Sequence, residues 1–313
     1  MGFKQTSKTT LPLALVVLLI HLTLLTQCLA TRKLASLYQP PPNLLKYHKG
    51  ALLEGDLHVS IFWYGKFSSS QKSIISDFLL SLNSPSQPQE QPSVSEWWKI
   101  VDSLIQKAGK SPTRILLSTQ ITDETYSLGK TLKRSDISTL ARGVKSASAG
   151  LTLVLTSEDV AVDGFCMSNC GFHGSDAETK SVFIWVGNSV SQCPGQCAWP
   201  FHQPLYGPQT PPLIAPNGDV GADGMVINIA SLLAGAVTNP FGNGYYQGPT
   251  DAPLEVASAC PGIYGKGAYP GYAGELLQDP TSKCSYNAHG VDGRKYLLPA
   301  LLDPETSTCS TIM

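Results

Sequence analysis

Eight cysteines sit in this 313-residue chain, and all but Cys28 fall in its second half. Cross-linked cysteines close loops and restrict the unfolded chain, so their partners constrain the fold more than any other residue type present. Cys166 and Cys170 form one C-x-x-x-C pair and Cys193 and Cys197 another, flanked by His173 and His202. Cys and His are also zinc's usual ligands, so the compartment has to decide. Lys4 and Lys8 precede an apolar stretch from Leu11 to Leu25, broken by His21 and Thr23 and ending in Cys28-Leu29-Ala30. This is the three-part pattern of a secretory signal peptide over residues 1–30, cleaved after Ala30. At about 15 residues the stretch is short of the roughly 20 that span a bilayer; a signal anchor is the alternative. Nothing downstream of Ala30 is expected to be long and apolar enough to cross a membrane. The C-terminus carries neither an ER-retention tetrapeptide nor a hydrophobic GPI tail, so the expected destination is extracellular.

In an oxidising compartment Cys166, Cys170, Cys193, Cys197, Cys260 and Cys309 read as disulfide-bonded, with zinc as the alternative. Seven cysteines outside the leader is an odd number. Cys284, in the polar stretch Thr281-Ser282-Lys283-Cys284-Ser285, is the candidate free thiol. No permitted Asn-x-Ser/Thr sequon occurs, so no N-linked glycan is expected.

The chain is 42% hydrophobic and 14% charged, too apolar for disorder. Its formal charge is −1 without a long basic run, which argues against a nucleic-acid partner. Removing the leader's two lysines leaves 20 basic against 23 acidic residues. Residues 31–50, with Pro40-Pro41-Pro42, read as an extended, exposed arm, and 51–313 as a single domain. Strands are expected at Leu57–Gly65, Ile115–Leu117, Leu151–Leu155 and Ser181–Gly187. Helices are expected at about Gln71–Leu82, Val94–Lys107, Ser135–Lys145 and Asp223–Thr238, the last stopped by Asn239-Pro240. Asp219 and Asp223 share a glycine-bearing loop. It is read as the turn into that helix with Asp223 as N-cap, rather than as a calcium loop. The alternation predicts an α/β (or α+β) fold: a mixed sheet flanked by helices, with a Gly/Pro/Tyr-rich, disulfide-braced C-terminal half.

Four strings are unusual enough to suggest kinship. They are Phe165-Cys166-Met167-Ser168-Asn169-Cys170-Gly171-Phe172-His173-Gly174, Cys193-Pro194-Gly195-Gln196-Cys197-Ala198-Trp199-Pro200-Phe201-His202, Pro216–Met225, and Asn239–Gly248. With Tyr286-Asn287-Ala288-His289-Gly290 they resemble the plant EXORDIUM and EXORDIUM-like, or phosphate-induced, proteins over about residues 35–313. That resemblance implies a secreted cell-wall or apoplast protein linked to growth, brassinosteroid response and carbon status, with no established catalytic reaction. Cys284 departs from the family pattern, where a small residue is usual.

Residues that could carry chemistry are few. Ser231-Leu232-Leu233-Ala234-Gly235-Ala236-Val237-Thr238-Asn239-Pro240 resembles the active helix of certain zinc peptidases, H-E-L-x-E/H followed by A-V-T-D-P. Zinc hydrolysis needs ligands one turn apart and a carboxylate to activate water. Here those positions hold Ser231, Leu232 and Gly235, so the stretch is either a degenerate zincin-like scaffold without its metal or a plain core helix. His173, Asp176 and His202 are the candidate metal or acid–base cluster, against the simpler reading of histidines bonded within braced loops. Trp199, Phe201, Tyr206, Phe241, Tyr245, Tyr246, Tyr264, Tyr269 and Tyr272 lie among Gly and Pro. Aromatic faces on rigid loops suit sugar rings; Trp199, Tyr245 and Tyr246 are the ligand-binding candidates, and core packing is the rival. No nucleophile elbow, phosphate loop or dinucleotide fingerprint occurs, and no cofactor is expected. Three functions remain. One is a non-catalytic extracellular growth protein binding a cell-wall glycan or a cell-surface protein. The others are a cell-wall polysaccharide hydrolase using His173, Asp176 and His202, and a carbohydrate-binding protein.

Overall fold

The structure, a computed structural model, describes Gly2 and residues 45–313 apart from 86–89, 145–149, 168, 177–180 and 304. The chain divides into units of residues 1–42 and 43–313. Apart from Gly2, the expected leader and the arm through residue 44 lie outside the described residues.

Five strands form the central sheet: β1 (Gly55–Tyr64), β2 (Thr113–Asp123), β3 (Leu151–Thr156), β4 (Gly171–Ser175) and β5 (Val182–Gly187). Their spatial order is β2-β1-β3-β5-β4. β1 runs parallel to β2 and β3, and β3 parallel to β5, with Val59 opposite Leu151 and Leu151 opposite Val182. β4 closes the edge antiparallel to β5. Both faces are covered, which is why every residue of β3 and β5 is buried rather than every second one. Leu57, Val59, Ile61, Trp63, Leu153 and Ile184 point into one core, shared with helices α1 (Ser69–Ser81), α2 (Val94–Lys107) and α4 (Val220–Thr238). Phe62, Tyr64, Val154, Phe183 and Trp185 point into a second, packed against α3 (Arg134–Gly143).

The helices begin where their caps dictate. Ser68 and Gln71 form a capping box at α1, and Ser93 and Glu96 another at α2. α4 starts earlier than its apolar pattern predicts. Asp219, not Asp223, is its N-cap, accepting the Ala222 N–H at 2.9 Å. The expectation about membrane-length segments is corrected here too. α4 is long and apolar enough to cross a bilayer by length and composition, but 78% of its apolar window is buried inside the fold. It is a core helix, and its all-round apolarity follows from being enclosed on every side.

Beyond α4 the C-terminal half runs in short ladders: 277–278 with 285–286, 288–289 with 295–296, and 301–303 with 308–310. Three disulfides brace it: Cys166–Cys193, Cys170–Cys197 and Cys260–Cys309. Cys284 is a buried free thiol. The last residues of the expected exposed arm are instead built in. Lys46 and Tyr47 pair with Tyr246 and Tyr245, and Leu45 is buried. The apolar and aromatic side chains of Leu45 and Tyr47 draw this piece of chain onto the domain.

Candidate functional site

Two places carry the residues that sequence reasoning singles out. The first lies beside α4. Edge strand β4 presents His173, whose Nε2 stands 2.8 and 3.0 Å from the two carboxylate oxygens of Glu255. Asn239, the C-cap of α4, donates its Nδ2–H to the same carboxylate at 2.7 Å. The carboxylate can only accept, so Nε2 carries the proton. Nδ1 is then left buried without a hydrogen-bond partner among the described residues. Gly235 makes the arrangement possible, because a Cβ there would collide with the Glu255 carboxylate and crowd the imidazole. The peptidase-like positions thus hold no machinery. Ser231 donates its hydroxyl back to the Ile227 carbonyl, Leu232 packs against Gly171, and Gly235 yields its space to the His173–Glu255 pair.

The expected cluster of His173, Asp176 and His202 does not assemble. Asp176 turns to Arg142, at 3.2 Å. His202 is exposed and bonds the Gln203 carbonyl through Nδ1. Three short reaches toward three different neighbours leave nothing convergent, and among the described residues no group of three His, Cys, Asp or Glu side chains is placed to hold a metal. Glu255, the partner His173 does have, lies in a loop 82 residues away with no local signal to announce it.

Asp219 and Asp223 each turn to donors of the protein. Asp219 caps α4 and accepts from Gln71 Nε2. Asp223 is buried inside the first turn, accepting the Asn217 N–H at 2.8 Å and its Nδ2–H at 2.6 Å. Burial pushes the Asp223 carboxyl up to about 7 despite those bonds.

The second place is a cleft of about 550 Å³ between residues 195–208 and 261–271. Its construction starts from the cysteines. Cys193 and Cys197 bracket a one-turn helix, Pro194–Cys197, and both are stapled back to the 166–170 loop. Trp199 follows two residues later and leans on buried Tyr264, ring centroids 5.8 Å apart. The opposite wall begins after Cys260, itself bonded to Cys309, and is tied by Tyr264 and Gly265 N–H groups donating to the Ala273 carbonyl. Tyr269 and Tyr272 exchange backbone hydrogen bonds at its tip. Gly271 has φ +89°, and a Cβ there would meet the Pro208 ring, so only glycine lets the two walls close. Thr210 Oγ1 donates to the Gly271 carbonyl at 2.9 Å across the same gap. Tyr206 and Tyr269 line the cleft while 84% and 64% exposed. A smaller hollow of about 230 Å³ adjoins it, sharing Trp199 and Gly271 and adding His202 and Tyr272.

Of the ligand-binding candidates, only Trp199 lines this cleft. Tyr245 and Tyr246 are core residues. Tyr245 stacks on Tyr47 with centroids 4.8 Å apart and donates its hydroxyl to the Leu104 carbonyl; Tyr246 stacks on His48 at 3.9 Å. Their burial follows from pairing with 46–47, a contact nearly two hundred residues away in sequence.

Comparison with known proteins adds kinship to this geometry. The phosphate-induced protein 1 conserved region matches residues 45–312. The chain is 59% identical over 295 residues to Protein PHOSPHATE-INDUCED 1 of Nicotiana tabacum, covering 91% of this chain and 94% of that protein. It is 58% identical over 308 residues to Protein EXORDIUM of Arabidopsis thaliana, covering 95% and 98%. Protein EXORDIUM-like 2 of Arabidopsis thaliana is 53% identical over 287 residues, covering 89% and 93%. No solved structure matches.

Proposed function

Since the chain belongs to the phosphate-induced protein 1 family, with EXORDIUM and its relatives, we propose that it is an exported protein of the apoplast and cell wall. It acts without catalysis in brassinosteroid-linked and carbon-status-linked growth and cell expansion, by binding a wall component or a surface partner. The observation that carries this reading is the Trp199–Tyr206–Tyr269 cleft: aromatic faces left open to solvent on loops held rigid by disulfides and cross-bonds. Large aromatic side chains on pre-ordered loops contribute contact area at little entropic cost. Three disulfides support export, since such bonds persist in oxidising compartments. Hydrolysis is the weaker reading, because the helix positions that would need ligands and a base hold Ser231, Leu232 and Gly235.

The test is expression in plant cells of the full chain and of a Tyr206→Ala, Tyr269→Ala double variant. Both should appear in apoplastic wash beginning at Thr31, and only the unaltered chain should promote expansion. Retention of the material inside the cell, or full growth activity of the double variant, would overturn the reading.

A further inference from the structure

We propose that the cleft binds a proline-rich segment of another polypeptide, held in the extended polyproline II conformation. The inference rests on the cleft being the ligand surface and names the class of ligand it takes. Charge is the first argument. No Asp, Glu, Lys or Arg occurs between Lys180 and Asp219, and no charged side chain lines the main cleft. A charged polymer would be desolvated there without a counter-charge, which is costly. The occupant is therefore neutral.

Hydrogen-bonding capacity is the second. A neutral glycan brings several hydroxyls on every ring, and each one buried without a partner costs about 1–3 kcal/mol. The main cleft offers few groups to meet them. Most of its lining is Gly, Pro, Ala and Ile, with Gln196 the lone amide side chain. A proline residue has an apolar ring, no N–H, and a single carbonyl to satisfy. Aromatic-lined grooves take such segments because their conformation is formed before binding.

A third observation concerns Trp199, which lines both the cleft and the adjoining hollow. Four of the five tryptophans use their indole N–H internally: Trp63 to Gln120, Trp97 to the Pro299 carbonyl, Trp98 to the Thr113 carbonyl and Trp185 to Thr156. Trp199 Nε1 has no hydrogen-bond partner among the described residues, and its ring is half-buried in the cleft. An amphipathic ring with a free donor is what a carbonyl-bearing apolar chain requires.

The experiment is calorimetric titration of the mature, disulfide-intact protein with a decaproline peptide, with cellohexaose and with a Gly-Ser decapeptide. Decaproline should bind saturably and the other two should not. Tyr206→Ala and Tyr269→Ala, both on exposed side chains, should each weaken binding at least tenfold while leaving the melting temperature unchanged. Trp199→Phe keeps a ring but removes the N–H, and should weaken binding about fivefold or more. Should that variant misfold, the two tyrosine variants carry the test. Absence of saturable decaproline binding, or binding indifferent to the tyrosine variants, would overturn the proposal. So would cellohexaose binding that the tyrosine variants abolish; the cleft would then stand as a ligand surface with a glycan as occupant. Neither result touches export or the growth assay, so the broader reading stands or falls separately.

Discussion

The sheet half and the loop half of this molecule treat their tryptophans in opposite ways. Around the sheet, Trp63, Trp97, Trp98 and Trp185 are fully buried and each indole N–H is spoken for. In the loop half, Trp199, Tyr206 and Tyr269 stand at least partly open. The difference follows from how each half is held. Long strands and helices bury apolar faces against each other and take their indoles with them. Short ladders and disulfides hold the chain by a few covalent points, so side chains between those points need not be buried for the fold to stand.

The contrast can be broken by single substitutions, the sheet half responding most. Trp185→Ala should cost about 3–5 kcal/mol, the usual penalty for emptying a core aromatic site, and thermal or urea unfolding would show it. Tyr245→Ala should fall in the same range if Tyr245 is core; an unchanged melting temperature would return it to the ligand surface. In the loop half the staples should dominate. Cys260→Ala with Cys309→Ala opens the widest loop, of sequence separation 49, and should cost ~4 kcal/mol on loop-closure entropy. Either bridge of separation 27 should cost ~3.5 kcal/mol on the same basis.

At the seam between the halves, Asp223 should make stability depend on pH. Its carboxyl sits at about 7 in the fold against 3.8 ordinarily. The folded state therefore holds a proton that the unfolded chain releases between those values. The share of stability that Asp223 contributes should be greatest below about pH 4 and fall as pH rises toward 7, by up to ~4 kcal/mol. Asp223→Asn should flatten that slope in denaturation curves taken across the range. A smaller effect is expected at Gly235→Ala. The added methyl must push Glu255 away from His173, for a loss of about 1–3 kcal/mol. Least of all, Tyr206→Ala should change stability by no more than about 0.5 kcal/mol, as befits an exposed ring. A large loss there would erase the distinction between the two halves.

The sheet half was largely legible in sequence because its signals are local. β1, β3 and β5 are apolar runs, and Ser68, Ser93 and the apolar faces behind them announce α1 and α2. β4 was not legible: Gly171-Phe172-His173-Gly174-Ser175 lacks a strand's composition and is a strand because β5 offers it an edge. The cap of α4 was misplaced by four residues because Asp219 and Asp223 are equally good caps in isolation. What separates them is Asn217, which engages Asp223 inside the turn. Tyr245 and Tyr246 misled for a different reason. Their Gly-rich setting looks like an exposed loop, and the strand that covers them lies at 46–47. The bonded cysteines were identifiable, but not their pairing, which depends on which loops meet in space. For the cleft, Trp199 was legible as an aromatic candidate, whereas the joint that brings its walls together, Gly271 on Pro208, has no one-dimensional trace.

The two bridges Cys166–Cys193 and Cys170–Cys197 run side by side with equal sequence separation, like two rungs of a ladder. Only Ala198 separates the second rung from Trp199. Sulfur oxidation therefore fixes the piece of chain that brings Trp199 to the cleft. A copy kept reduced would keep the backbone ladders of its sheet, since no bridge among the described residues joins two of its strands, yet would hold the indole on an unanchored strap.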